Sequence, residues 1–315
     1  MLLFLKLNFS LNKLMLSQNN ISNLSSITDA LSSNTTLKEL ALSQQSYFKD
    51  ENSKSPFAFG DEPTEYANTY LEKLTLSLGL MQTTLPLMQC CLGFSNLKQL
   101  VINNVPLKKL HFETIDNYLV SNEWLRKLKL INVKMTSDCF SIISETICNS
   151  KKIRSLDLSN NPLKDLGCAK VAEMLIKNKS IQSLKVNQSS VTEAGLVCLL
   201  NSLRQNNQVT KLVARDNRIK ASRRLLALVG DLVIYFNSTL RYLILTCNQQ
   251  YTKKDFYDDP KNPFKFMSST VAKSKKQDSK KDNEIERVGP YRSFPPDEQM
   301  VADFEKYLQE KSLLQ

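Results

Sequence analysis

The sequence predicts an α/β solenoid, with short parallel strands stacked on one face and helices on the other. Three observations carry that prediction. Apolar residues recur in a fixed pattern at a nearly constant interval. The stretches between the patterns have helical spacing. The chain of 315 residues is 42% apolar, enough for a sizeable core.

The pattern is L-x-x-L-x-L-x-x-N, numbered here 1 to 9. It begins at Leu11, Leu14, Leu16 and Asn19, and returns at Leu37, Leu40, Leu42, then Leu71, Leu74, Leu76, then Leu97, Leu100, Ile102. It continues at Leu125, Leu128, Leu130; at Ile153, Leu156, Leu158, Asn161; and at Ile181, Leu184, Val186. The last two are Val209, Leu212, Ala214, Asn217 and Leu240, Leu243, Leu245, Asn248. Successive starts differ by 26, 34, 26, 28, 28, 28, 28 and 31 residues. Positions 4 and 6 alternate about position 5, so in a short strand both point inward. Position 9 favours Asn, whose amide satisfies backbone groups where the chain turns off the strand. Where it drifts to Gln45, Gly79, Val105, Val133 and Ser189, less regular turns are expected.

The second half of each unit reads as a helix. Leu163-Lys-Asp165-Leu-Gly167 leads into Val171, Met174 and Leu175, and Val191-Thr-Glu193-Ala-Gly195 leads into Leu199, Leu200 and Leu203. Ile27 with Leu31, and Phe140 with Ile143 and Ile147, form similar faces. With this period and motif the chain resembles leucine-rich repeat proteins, and its strand, turn, acidic-x-Gly step and full helix are similar to their ribonuclease-inhibitor-like class. The resemblance covers roughly residues 11–250. It implies a curved horseshoe with parallel strands concave and helices convex. Units 71–96 and 97–124 fit poorly, and Cys139 and Arg223 stand where Gly is expected. No unit buries its apolar face alone, so the stack shares one core. Leu2–Leu7 is expected to be a capping strand.

Three regions follow: a solenoid over 1–250, a linker over 251–295 and a terminal amphipathic helix over 296–315. An insertion near 47–70 carries Phe57, Phe59 and Tyr66. The linker is Pro-punctuated, holds Phe264 and Phe266, and carries five lysines between Lys273 and Lys281. In the terminal segment Met300, Val301, Phe304, Tyr307 and Leu308 share one helical face. That face either caps the solenoid or docks on another chain.

Catalytic material is scarce. There is one histidine, His111, and seven glycines. No phosphate-loop, dinucleotide, zinc-protease or nucleophile-elbow motif occurs. Neither a cofactor nor a metal is expected, and the chain is read as a non-enzyme. The seven cysteines form no C-x-x-C pair and read as small core residues of a reduced intracellular protein. No apolar run reaches the roughly 18 residues of a membrane span.

The net charge is +11, which favours acidic partners. Residues 251–315 hold 13 basic and 12 acidic side chains, whereas 151–230 hold 15 and 5. The excess therefore lies in the later units. Lys98, Arg126, Lys127, Lys129, Arg154, Lys185, Lys211, Arg215 and Arg241 occupy or adjoin the non-core motif positions, and are expected to stack into a basic concave ladder. With Phe264, Phe266, Phe304, Tyr307 and Leu308 they are the candidate partner-binding residues.

The function expected is a non-catalytic scaffold subunit of a large intracellular assembly, binding other protein subunits through an acidic surface on the partner. Similar solenoids with extended tails occur in cytoskeletal assemblies, ciliary axonemes among them, and the richness in Asn, Lys and Ser is similar to that of protist sequences. A regulatory adaptor or GTPase-activator-like protein is the alternative, and an RNA-associated protein the third. Nucleic acid is disfavoured because Tyr242 is the only aromatic on the concave rows.

Overall fold

A computed structural model describes residues 2–17, 30–31, 33–43, 70–77, 96–219 and 222–246. The expected insertion, save Tyr70, the linker and the terminal helix lie outside the described residues. So do Asn19, Gln45, Gly79 and Asn248 at position 9.

Nine strands form one parallel sheet in chain order. They are β1 (Lys13–Ser17), β2 (Glu39–Ser43), β3 (Lys73–Ser77), β4 (Gln99–Asn103), β5 (Lys127–Ile131), β6 (Ser155–Asp157), β7 (Ser183–Lys185), β8 (Lys211–Val213) and β9 (Tyr242–Ile244). Each pairs with the next in the register the motif requires. Leu40 faces Leu74, which faces Leu100, then Leu128, Leu156, Leu184, Leu212 and Leu243. From β2 to β8 the residues at positions 4 and 6 are at most 1% exposed. The chain has the leucine-rich-repeat fold.

The helices are α1 (Leu2–Leu7), α2 (Lys109–Ser121), α3 (Ser137–Asn149), α4 (Lys164–Lys177), α5 (Glu193–Gln205) and α6 (Arg223–Asp231), the last running into one π turn, Leu232–Phe236. Their inner faces are as expected. Phe140, Ile143 and Ile147 are fully buried, and Val171, Met174, Leu175, Leu199, Leu200 and Leu203 join them in one continuous core.

A backbone spine runs through the whole sheet. The carbonyl at position 2 of each unit accepts two N–H bonds from the next unit. Asn12 accepts from Lys38 and Glu39 at 2.8 and 3.0 Å, and Thr210 accepts from Arg241 and Tyr242 at the same distances. Every intervening unit repeats the arrangement.

Beside it stands a column of buried amides that the repeat pattern did not announce, three residues before the motif in four units. Asn178 donates to the Ile147 carbonyl at 2.8 Å and accepts from the Ile181 N–H. Asn206 donates to the carbonyls of Leu175 and Asn178 at 2.7 and 3.0 Å, and accepts from Gln208 and Val209. Asn237 repeats this against Leu203 and Asn206. Asn34 does so against Leu5 and Asn8. Each side chain ends a helix, starts a strand and ties both to the unit before.

Three expectations are corrected. Leu2–Leu7 is a helix, not a strand. Asn8 directly after it accepts from Ser10 and Leu11 and so holds the amide position, which makes the segment equivalent to the end of a repeat helix. Its Leu5 is fully buried. Second, unit 97–124 is complete, with the thirteen-residue helix α2. Third, the turns after β4 to β8 are alike whatever stands at position 9. Asn104, Asn132, Asn160, Gln188 and Asp216, all at position 8, have φ between 48° and 61°. Each donates its N–H across to the next unit's position 7 carbonyl. The position 9 amides that are described serve the turn of the preceding unit. Asn161 accepts from Val133 and Met135, and Asn217 from Ser189 and Val191.

Among glycines, Gly195 is fixed by close approach. A Cβ there would lie 2.5 Å from Asp165 Oδ1, the carboxylate that caps the start of α5 by accepting from Thr192 and Gly195. At Gly230 a Cβ would meet nothing within 4 Å. Gly195→Ala should therefore destabilise by about 1–3 kcal/mol through overpacking, whereas Gly230→Ala should stabilise by up to about 1 kcal/mol. Urea unfolding of the two variants checks the contrast.

Removing one amide of the column strands several buried backbone groups at once. Asn206→Ala should cost about 3 kcal/mol or more, read as a lower urea midpoint at unchanged slope.

His111 is 8% exposed in the first turn of α2, where its Nδ1 accepts from the Lys108 N–H at 3.1 Å. That bond requires the neutral ring, and burial lowers the His111 pKa from its ordinary 6.5. Below 6.5 the unfolded chain takes up a proton that the folded chain refuses. The stability present above 6.5 is therefore lost as pH falls. His111→Gln keeps an acceptor for the Lys108 N–H and should flatten the fall in thermal midpoint between pH 7.5 and 5.5.

Candidate functional site

The core takes positions 4 and 6 of every strand, so positions 3 and 5 line the open face of the sheet. Register then stacks them into two rows. The first runs Lys13, Glu39, Lys73, Gln99, Lys127, Ser155, Ser183, Lys211, Tyr242. The second runs Met15, Ala41, Thr75, Val101, Lys129, Asp157, Lys185, Val213, Ile244.

The candidate basic residues do not form one ladder. Lys127, Lys129, Lys185 and Lys211 lie in the two open rows. Lys98, Arg126, Arg154 and Arg241 occupy position 2, a separate line at the entry to the strands, where Lys98 is paired with Glu72 at 3.0 Å. Arg154 donates from Nη1 to the Ser180 carbonyl at 3.2 Å. Arg215 stands past the end of β8, and its Nε is buried without a hydrogen-bond partner among the described residues. Phe264, Phe266, Phe304, Tyr307 and Leu308 lie outside the described residues.

Acidic residues divide the open face into two halves. In the early units Glu39 sits between Lys13 and Lys73, at 3.6 and 3.3 Å, and the lysines hold its carboxyl below the usual range, Lys73 most strongly by a direct hydrogen bond. In the later units Asp157 is the only acid in the two rows. It is 6% exposed, accepts from the Ser159 hydroxyl at 2.6 Å and lies 3.9 Å from Lys185. Among the described residues Lys127, Lys129 and Lys211 have no carboxylate partner of that kind. Strands about 4.8 Å apart put Lys127 and Lys211 about 14 Å from one another across three steps. The neutralising role of Glu39 was missed in the sequence, although Lys13, Glu39 and Lys73 share position 3.

The face offers binding rather than chemistry. Lys211 lies over the Tyr242 ring at 5.3 Å from its centroid. His111 is engaged in capping α2. Cys168 and Cys198 are free and buried, with thiols raised by desolvation, that of Cys198 to about 11, which keeps them protonated at neutral pH. Trp124 is half exposed. Among the described residues no group of three or more His, Cys, Asp and Glu could hold a metal ion, and no helix is long and apolar enough to cross a membrane.

No family model and no curated protein matches the chain. Solved structures do. The chain is similar to the actin-binding site 2 of leiomodin-1, at 18% identity and a TM-score of 0.38, over 66% of this chain and 95% of that one. It is similar to the tropomodulin C-terminal domain of Caenorhabditis elegans, at 17% identity and a TM-score of 0.36, over 42% and 78%. It is similar to a chain of the yeast Rad7–Elc1 complex, at 15% identity and a TM-score of 0.42, over 80% and 68%. The fold assignment itself rests on the nine-stranded parallel sheet and its repeat register.

Proposed function

We propose that the chain is a non-catalytic interaction subunit that binds an acidic protein segment across the β5–β8 part of its open face. One observation carries this reading. Lys127, Lys129, Lys185 and Lys211 share the face with a single counter-charge, Asp157, which Ser159 already engages. In the early units both lysines of the rows, Lys13 and Lys73, are paired with Glu39.

An acidic helix or extended segment laid along the stack would meet these ammonium groups in turn. Each exposed pair adds less than about 1 kcal/mol, so the array serves steering and orientation more than raw affinity. A protein is favoured over nucleic acid, because Tyr242 is the sole aromatic in either row and Lys211 already covers it. Phe264 and Phe266 supply a second, apolar contact in this reading. The host assembly, cytoskeletal or ciliary, is carried by the resemblance to other leucine-rich repeat proteins alone.

Charge reversal at Lys127, Lys129 and Lys211 in the full chain should weaken capture of the native partner by tenfold or more, with unchanged circular dichroism. Raising salt should weaken the unmodified complex in parallel. Undiminished capture by the reversed variant would sink the proposal.

A further inference from the structure

We infer that the chain's own last segment, residues 296–315, covers the open end of the solenoid formed by β9 and the π turn. The interior units show what coverage looks like. In β5, β6 and β7 the residues at positions 4 and 6 are fully buried, whereas Leu243 and Leu245, their equivalents in the last unit, are only partly so. On the helix side, Val233 is 51% and Ile234 52% exposed, with Tyr235 and Phe236 beside them at 38% and 39%. Each helix from α2 to α5 is followed by another that packs on it. The π turn is the last helical element described, and Val233 and Ile234 keep half of their apolar surface in solvent. A repeat stack needs a terminal element with a polar outer face to close such an end.

The occupant is argued from the chain itself. Beyond Thr246 the sequence continues at this end of the stack to Gln315. Its final stretch carries Met300, Val301, Phe304, Tyr307 and Leu308 at helical spacing. It also carries five acidic and two basic side chains, a net of −3. The receiving end is basic. Arg204 stands over the Phe236 ring at 3.8 Å from its centroid, with Asp231 as the acid that its charge reaches, and Arg241 and Lys211 flank Tyr242. Even as a random coil, residues 247–295 would span about 40 Å, so the connection permits the return. An apolar stripe would close the core, and the acidic flank would meet the arginines. This assigns Phe304, Tyr307 and Leu308 to the chain's own fold rather than to a foreign partner. It is independent of the acidic-partner reading, because the basic rows of β5–β8 stay open.

Hydrogen exchange on the full chain tests it. Phe304→Asp with Leu308→Asp should speed amide exchange across residues 232–246 by about tenfold or more, while β5 to β7 stay protected. A synthetic peptide of residues 296–315 added in trans should restore the protection. Protection in the unmodified chain should not depend on protein concentration. If the double variant unfolds throughout, Phe304→Ser provides the same comparison, and Ile234→Ser should speed exchange within 300–308. Identical exchange at 232–246 with and without the substitutions would overturn the proposal. So would protection that rises with protein concentration, which would make a second copy the occupant.

Discussion

Parallel strands from successive units stack only if the chain enters and leaves each strand at the same height, and the structure enforces this with hydrogen bonds as well as packing. At the entry, one backbone carbonyl accepts two N–H groups from the next unit, from Asn12 to Thr210. Beside it the buried amides of Asn34, Asn178, Asn206 and Asn237 join the end of one helix to the start of the next strand. A slip of one residue would turn a strand's leucines from the core to the open face, and it would also leave several buried polar groups without partners. The rows on the open face inherit their register from both constraints.

Much of the fold was legible because the code for burial is simple. Two apolar positions per strand, repeated at 28 residues, define which side faces the core. What was not legible lay where one chemical task can be done by different residues. The turn after β5 takes its amide acceptor from Asn161 of the next unit, so it keeps its shape although Val133 departs from the motif. Leu2–Leu7 misled for a related reason. Six apolar and basic residues fit a strand or a helix, and the arbiter was Asn8, whose place relative to Leu11 matches Asn178 relative to Ile181.

The open face was half legible. Counting charge placed the basic excess in the later units, and the strand period placed four lysines on one side. The count could not show which cations are neutralised, because that depends on neighbours some 30 residues away in sequence. Glu39 contacts Lys13 and Lys73 only once the register is known. Asp157, adjacent to Lys129 in one direction and Lys185 in the other, turns a supposed ladder into separated positive points. Position 2 was grouped with the open rows in sequence, yet its side chains form a line of their own, because the backbone there is already committed to the spine.

The spacing between the amide column and the motif never varies, while the spacing from one motif to the next does. Asn34 precedes Leu37 by the same three residues as Asn237 precedes Leu240, yet the unit from Leu37 runs 34 residues and the unit from Val209 runs 31. Extra length is thus confined to the stretch between strand exit and amide. Lys73 still meets Glu39 across a 34-residue unit as Lys127 meets Gln99 across 28. The architecture separates two kinds of change. Loops and helices on the outer side can grow or shrink without moving a residue on the open face, while a point substitution at position 3 or 5 alters that face and leaves the outer side alone.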